Sequence, residues 1–316
     1  MLAAFAWAWA SASSANAETL EVVVHDPANE ALIGNRILAL DFTNSSRWAE
    51  RWSGNLRSMM IGANLLGEKM FVIPIPARPI IADLVVTGEL TLDVDYFEVE
   101  PEVSRECAAE DDGGNCTSWE EKVRQCAGLA IFMEGYVRFE RAETRETVLG
   151  FSDQDEERRI SCELGGPTLG GSPEAMLDRM VERARAAIFP ALRRDAIRIR
   201  ESRKSLEGED RSAFKQAVKL TDDDPDSACK AFADLLTSNP DNVSLLFNSG
   251  LCAERRGEYD AAYDLYVEAL RLAPGESYPE LGVERMQRAA YVERQYERHF
   301  GLQAPAVTTV KSGFGG

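Results

Sequence analysis

The segment Val243–Glu276 reads VSLLFNSGLCAERRGEYDAAYDLYVEALRLAPGE, and it determines the fold class of the C-terminal part of the chain. Apolar residues recur in it at helical spacing, small residues stand at Gly250 and Ala262, and Pro274 lies near its end. Small residues at these points let two antiparallel helices pack closely, and a proline terminates the second helix. The segment therefore predicts a helical hairpin.

The hairpin pattern recurs along the chain with a period of 34 residues. Four pairs of similar residues stand 34 apart: Ala228 and Ala262, Phe232 and Tyr266, Leu236 and Leu270, Pro240 and Pro274. Such self-similarity indicates an array of stacked helical units. The preceding unit, 209–242, is degenerate, because Gln216 and Asp223 replace its two expected glycines. A third, longer helix over Pro279–His299 is expected to cap the stack.

The 34-residue unit resembles a tetratricopeptide repeat. Its residues match the family at Asn248-Ser249-Gly250, Gly257-Glu258-Tyr259, Ala262, Tyr266, Ala269 and Pro274. The resemblance implies a helical interaction module, in which ligand peptides usually contact the first helix of each pair. It thus implies a partner-binding face formed by Ser244, Phe247, Leu251, Glu254 and Arg255. The alternative is that these residues only cover the neighbouring helix.

Strand and helix signals intersperse over residues 18–203. Arg36–Phe42 has the apolar density of a buried strand, and Trp48–Leu66 carries apolar residues at gaps of three and four, which predicts a helix. Strand signals follow at Met70–Ile75 and Leu84–Leu92, and again in a hairpin over 128–151, before a helix that begins near Pro173. This order predicts an α+β domain with a mixed sheet.

The N-terminal region resembles the periplasmic α/β domain of the curli-secretion (CsgG-like) superfamily, which includes penicillin-binding-protein activators. Ala82–Gly88 matches the family phrase, whereas Glu140–Arg145 only approximates the family hairpin because it lacks the glycine. The resemblance implies a two- or three-layer domain with a mixed sheet. The segment 101–126 departs from the family as an acidic, cysteine-bearing insertion, unlike a membrane-spanning hairpin with an alternating apolar face. A secretion pore is therefore disfavoured.

The first residues predict export. Leu2–Ala12 reads LAAFAWAWASA, and Ala15-Asn16-Ala17 is a small-x-small cleavage pattern, as in a secretory signal peptide cleaved after Ala17. No Lys or Arg precedes the apolar run, and the alternative is an apolar N-terminal helix of a cytosolic protein. We expect a signal peptide (1–17), an α+β domain (18–203), a helical domain (206–300) and a tail (301–316). The mature chain is expected to be periplasmic, with no integral membrane segment.

In an oxidising compartment, the six cysteines are expected to pair. Cys107, Cys116, Cys126 and Cys162 allow three pairings, of which we favour Cys107–Cys116 with Cys126–Cys162. Cys126 and Cys162 flank a long predicted hairpin. Cys229 and Cys252 lie on successive helices of adjacent units, where contact is geometrically feasible. The spacings lack the close cysteine pairs of zinc sites, so no metal is expected.

The net charge of −18 argues against binding nucleic acid or an anionic membrane surface. No nucleophile motif or phosphate-binding loop occurs, and no catalytic residue or cofactor is expected. The sequence thus predicts a non-enzymatic envelope scaffold that binds a protein partner. One alternative is a subunit of a curli-like secretion or surface-fibre apparatus. Another is an enzyme in which the carboxylates of Asp111, Asp112, Glu120 and Glu121 converge in an acidic cleft.

Overall fold

A computed structural model describes residues 18–42, 45–74, 81–163 and 165–303 of the 316. The predicted signal peptide and the tail beyond Gln303 lie outside the described residues. No helix in the described part of the chain is long and apolar enough to cross a membrane.

The described residues form eight strands and seven α-helices, as an α+β fold with a helical C-terminal region. The strands are β1 (Thr19–Asp26), β2 (Leu38–Phe42), β3 (Asn64–Leu65), β4 (Glu68–Lys69), β5 (Leu84–Glu110), β6 (Cys116–Arg141), β7 (Thr147–Ser161) and β8 (Ala191–Arg198). The helices are α1 (Arg47–Gly62), α2 (Ser172–Ile188), α3 (Gly208–Asp223), α4 (Pro225–Ser238), α5 (Val243–Arg255), α6 (Tyr259–Leu272) and α7 (Ser277–Phe300). The predicted fold class is confirmed.

Contacts divide the chain into two units. Among the described residues, the sheet unit comprises those within 27–191 and 294–303, and the helical unit comprises 18–26 and 192–293. This division differs from the predicted boundary near 203, because β1 pairs with β8 and both contribute to the helical unit. Leu20, Val22 and Val24 are buried in one apolar core with Phe214 and Phe232. Burial of these side chains makes β1 part of the helical unit.

The sheet unit is built on a four-stranded mixed sheet with strand order β2-β5-β6-β7. β2 runs parallel to β5, from Leu38 opposite Leu84 to Phe42 opposite Gly88, and the other pairs are antiparallel. Helices α1 and α2 pack against this sheet. A Cβ added at Gly135 of β6 would lie 3.2 Å from Met180 of α2, so this side of β6 faces the helices.

Helix α1 confirms the predicted apolar stripe. Ser46 caps its first turn, accepting a hydrogen bond from the Ala49 N–H at 3.2 Å. Trp52, Leu56 and Met60 are fully buried, and the Trp52 indole donates to the Tyr136 carbonyl of β6 at 3.3 Å. Full burial of side chains this large stabilises the helix-on-sheet layer by about 1.5–3 kcal/mol each.

The strand predicted over Met70–Ile75 is wrong for the described residues up to Pro74. Only Val72 pairs, in an isolated parallel bridge to Ile37, while Met70 and Phe71 are buried as irregular chain. Prolines remove the backbone donors that a longer ladder requires, and Pro74 follows this bridge closely.

The last turns of α7 are anchored within the sheet unit by two polar side chains. Gln295 accepts from the Ala28 N–H at 3.0 Å and donates to the Ala28 carbonyl at 2.8 Å. His299 Nδ1 accepts from the Gly34 N–H at 3.1 Å, so the proton stands on Nε2, which donates to the Met70 carbonyl at 2.9 Å. Burial lowers the pKa of His299 below its ordinary value, and the hydrogen bond to Met70 opposes this shift only in part.

In the helical unit, α3–α4 and α5–α6 form consecutive hairpins, and α5 and α6 are in close contact at one glycine. A Cβ at Gly250 of α5 would lie 2.5 Å from the Tyr266 ring of α6. Gly282 of α7 approaches the same ring, with a hypothetical Cβ at 2.7 Å. The small residue and the aromatic ring predicted for this hairpin therefore pack as expected.

The substitution Gly250→Ala should destabilise the helical unit. Overpacking against Tyr266 costs about 1–3 kcal/mol, and this opposes the gain of about 1 kcal/mol that alanine brings to a helix interior. Calorimetry should show a lower transition temperature for this variant. Gly54→Ala in α1 is the matched control, because its Cβ would meet nothing within 4 Å, and it should raise stability. Equal shifts in the two variants would contradict the close packing.

The stability of the sheet unit should fall as pH falls below about 6.5, the ordinary pKa of histidine. Since the folded-state pKa of His299 is lowered, the unfolded chain takes up the proton first. The stabilisation is therefore fully present above 6.5 and is lost as pH falls through the folded pKa. Denaturant unfolding between pH 7.5 and about 5 should show this slope, and His299→Gln should reduce it. The part that remains is expected from His25, whose pKa burial also lowers. An unchanged slope in that variant would exclude His299 as the source.

Candidate interaction surface

The longest strands of the protein extend beyond the four-stranded sheet. β7 pairs with β6 only as far as Ser161, opposite Ala127, whereas β5 and β6 remain paired to Glu110 and Cys116. We call the two-stranded part, residues 98–125, the ribbon. At about 3.3 Å per residue it extends roughly 30 Å. The predicted insertion at 101–126 is thus the continuation of two core strands.

Two disulfides stabilise the ribbon at its tip and at its base. Cys107–Cys116 joins β5 to β6 near the turn, with the Cα atoms 5.6 Å apart. Cys126–Cys162 ties β6 to the residue after β7, with the Cα atoms 4.0 Å apart. The favoured pairing is confirmed. An isolated two-stranded hairpin is marginally stable in water, so these covalent ties compensate for the missing neighbour strands.

An exposed apolar stripe lies on one face of the ribbon and begins at Tyr96, just before the ribbon on β5. Tyr96 stands opposite buried Leu129, Val103 opposite Val123, and Cys107 opposite Trp119, so alternation along β6 places these pairs on one face. The stripe consists of Tyr96, Val103, Trp119 and Val123, whose exposed fractions are 69%, 60%, 63% and 56%. Side chains of this size are ordinarily buried, and their grouping on one narrow face indicates an interaction site.

The opposite face of the ribbon is held by ion pairs across its strands. Glu106 accepts from Lys122 at 2.8 Å and from Arg124 at 3.0 Å. The hydrogen bond from Lys122, with that from Arg124, lowers the pKa of the Glu106 carboxyl. On the stripe face, Arg105 pairs with Glu121 at 3.4 Å. Such cross-strand pairs fix the register of the two strands.

The carboxylates that an enzyme would have required do not converge. Asp111 closes the ribbon turn, where it accepts from the backbone N–H groups of Asn115 at 2.8 Å and Gly113 at 3.0 Å. The hydrogen bonds from Asn115 and Gly113 lower the pKa of Asp111. Glu120 and Glu121 are neighbours on one strand, so their side chains point to opposite faces. No group of metal-ligating side chains was found among the residues that the structure describes.

The structure places the five predicted partner-binding residues on α5, but mostly inside the helical unit. Ser244, Phe247, Leu251 and Glu254 are buried, and only Arg255 is partly exposed. Arg255 pairs with the exposed Asp226 at 3.3 Å. Four of these side chains therefore pack within the unit, and a role in binding stays a prediction.

Glu254 belongs to a buried polar network. Its carboxylate accepts from Arg285 at 2.7 and 2.8 Å and from the Tyr266 hydroxyl at 2.6 Å. Burial, with Glu254 close by, raises the pKa of Tyr266 well above its usual range. Cys229–Cys252 further ties α4 to α5, with the Cα atoms 5.5 Å apart. The described cysteines are thus all paired.

Comparisons with known proteins find little. No protein-family model and no curated protein matches the chain. Three similar solved structures come from bacteria. A lipoprotein B from Nitrosomonas europaea is 8% identical, covers 60% of this chain and 83% of its own, and gives a TM-score of 0.19. The rare lipoprotein B from Shewanella oneidensis is 13% identical, with 59% and 96% covered and a TM-score of 0.18.

The third similar structure is a neuraminyllactose-binding hemagglutinin homolog from Helicobacter pylori. It is 11% identical, covers 49% of this chain and 81% of its own, and gives a TM-score of 0.23. Two of the three are thus named as lipoproteins, but TM-scores of this size do not establish a common fold.

Arg285→Met should destabilise the helical unit strongly, because it leaves the Glu254 carboxylate buried without its ion-pair partner. Removing one member of a buried pair costs about 3–5 kcal/mol. The double variant Glu254→Leu/Arg285→Met should be more stable than Arg285→Met alone in denaturant unfolding. Arg271→Met is the control, because it breaks the exposed pair with Glu268 and should leave stability unchanged. A double variant as unstable as the single one would show that the charge is not the cause.

Proposed function

We propose that the protein is a non-enzymatic, extracytoplasmic interaction protein of the bacterial envelope, which binds a protein partner through the ribbon. The observation that carries this proposal is the apolar stripe of Tyr96, Val103, Trp119 and Val123, exposed on the disulfide-tied ribbon and at its base. Aromatic side chains with large apolar surfaces are the residues that most often dominate the binding energy of interfaces.

The disulfides support the proposed location. Three disulfides involve all six cysteines of the chain. Disulfides persist in oxidising compartments and are rare in reducing ones, and this agrees with the export signal proposed for residues 1–17.

The architecture of each unit fits an interaction protein of this kind. The helical unit, with hairpins at a 34-residue period, is proposed to be of the tetratricopeptide type, and the sheet unit to be of the CsgG-like type. The burial of Phe247 and Leu251 favours the ribbon over the predicted face of α5 as the principal binding surface.

Replacing Trp119 and Val123 together by serine should reduce the amount of partner recovered about tenfold or more. This is the loss expected when a side chain that anchors an interface is truncated. Recovery is measured by quantitative mass spectrometry of proteins crosslinked to tagged, processed protein in envelope extracts. Both side chains are exposed, so folding should be retained.

Leu281→Ser is the matched control, because Leu281 is an exposed apolar residue of α7 outside the ribbon. It should leave recovery unchanged. If the Trp119→Ser/Val123→Ser variant recovers the same partner at the same yield as the unmodified protein, the ribbon is not the binding surface.

A further inference from the structure

We infer that the partner element that packs on the ribbon is a basic, amphipathic segment of another protein. This inference rests on the proposed function and adds the chemistry of the partner. Two independent features of the ribbon lead to it, the continuity of its apolar stripe with the core and the sign of its unpaired charge.

The stripe continues the buried face of the sheet past the end of the helix layer. Leu129, Ile131 and Met133 are fully or almost fully buried, and Gly135 of the same strand faces α1 and α2. Odd-numbered residues of β6 lie on one face, so Val123 and Trp119 follow these core residues on that face, with the Arg105–Glu121 pair between them. A partner segment with an apolar side would extend the same packing layer along the ribbon.

The charges of the ribbon are strongly unbalanced. Residues 98–125 contain nine acidic and three basic residues, so the net charge is 3 − 9 = −6. All three basic residues are already engaged, Arg105 with Glu121, and both Lys122 and Arg124 with Glu106.

Seven carboxylates of the ribbon have no ion pair among the described residues: Glu98, Glu100, Glu102, Glu110, Asp111, Asp112 and Glu120. Of these, Asp111 is used by the turn. By register Glu98 lies on the stripe face, whereas Glu102 and Glu120 lie on the opposite face. The free charge of the ribbon as a whole is therefore negative, and it favours a positively charged partner through complementary potentials.

The same charge disfavours other occupants of the stripe. A second copy of the ribbon would bring two surfaces of net charge −6 together, and the repulsion between like charges disfavours that contact. Nucleic acid and anionic lipid surfaces are repelled for the same reason. The disulfide near the tip and the cross-strand ion pairs hold the stripe in one conformation before binding, which reduces the entropy lost on association.

A photo-crosslinking amino acid at position 123, or at 119, tests the inference in the intact envelope of the producing cell. Position 122 on the opposite ribbon face is the control site, and it should give a weaker crosslink. Mass spectrometry of the crosslinked peptide identifies the contacted segment. The inference expects a protein segment with an excess of Lys and Arg and an apolar side. A neutral or acidic segment, a second copy of this chain or a lipid adduct would overturn it.

A second experiment neutralises acidic residues of the ribbon. The triple variant Glu98→Gln/Glu100→Gln/Glu102→Gln should reduce the crosslink yield at position 123 about tenfold. The triple variant Glu207→Gln/Glu280→Gln/Glu284→Gln changes the net charge equally at exposed sites of the helical unit and should have no effect. Equal yields from the two variants would overturn the inference.

The two proposals fail in distinguishable ways. If a protein crosslinks at position 123 but its yield does not change in the ribbon Glu→Gln variant, the inference of a basic partner is wrong while the proposed function still stands. No protein adduct at 119 or 123, with disulfides and circular dichroism intact, removes both.

Discussion

The antiparallel pairing of β5 with β6 is the interaction on which the four-stranded sheet depends, because its other two strands and the helices α1 and α2 are placed against it. β2 pairs with the first residues of β5, β7 pairs with the second half of β6, and α1 and α2 cover one face of this base. The same ladder continues past Ala127, where the described part of the chain adds no third strand. One pair of strands therefore supplies the core at one end and an exposed ribbon at the other, so packing in the base positions the ribbon.

An exposed ribbon with two free edges risks pairing with other strands, and the sequence of β5 counters that risk. Register irregularities lie between Val99 and Glu102 and again after Cys107, and Pro101 lacks a backbone donor. Bulges, prolines and charged residues are the usual protection of edge strands. The acidic composition of the ribbon thus disfavours edge-to-edge aggregation, and it leaves the apolar stripe free for a partner of the opposite charge.

The parts of the fold that rest on local patterns were predictable from sequence. The spacing of Trp52 and Leu56 indicated α1. The 34-residue period indicated the helical hairpins, because the close packing of two helices restricts which residue types fit at Gly250 and Tyr266. The ribbon was not predictable in this way. Its acidic and glycine-bearing sequence indicates a loop, and long-range ties such as Cys126–Cys162 hold it as strand. The sequence does not reveal the stripe, because Val103 and Trp119 are far apart in sequence. Only the register between β5 and β6 places them on the same face.

On α5 the predicted helix is present, but most of the residues predicted to bind a partner pack inside the helical unit instead. The unit's own chain occupies the predicted binding face. Arg200 donates to Ser244 and exchanges backbone hydrogen bonds with the Asn248 side chain, while Tyr278 of α7 packs edge-on against Phe247, with ring centroids 5.3 Å apart.

A ligand peptide on this face would have to displace segments that already satisfy its polar groups and cover its apolar ones. Arg285 of α7 likewise satisfies the buried Glu254. On the ribbon the situation is reversed, because its two strands pair with each other while the stripe has no cover among the described residues. The free energy still to be gained by burial therefore lies on the ribbon, and this favours it over the helices as the place where a partner binds.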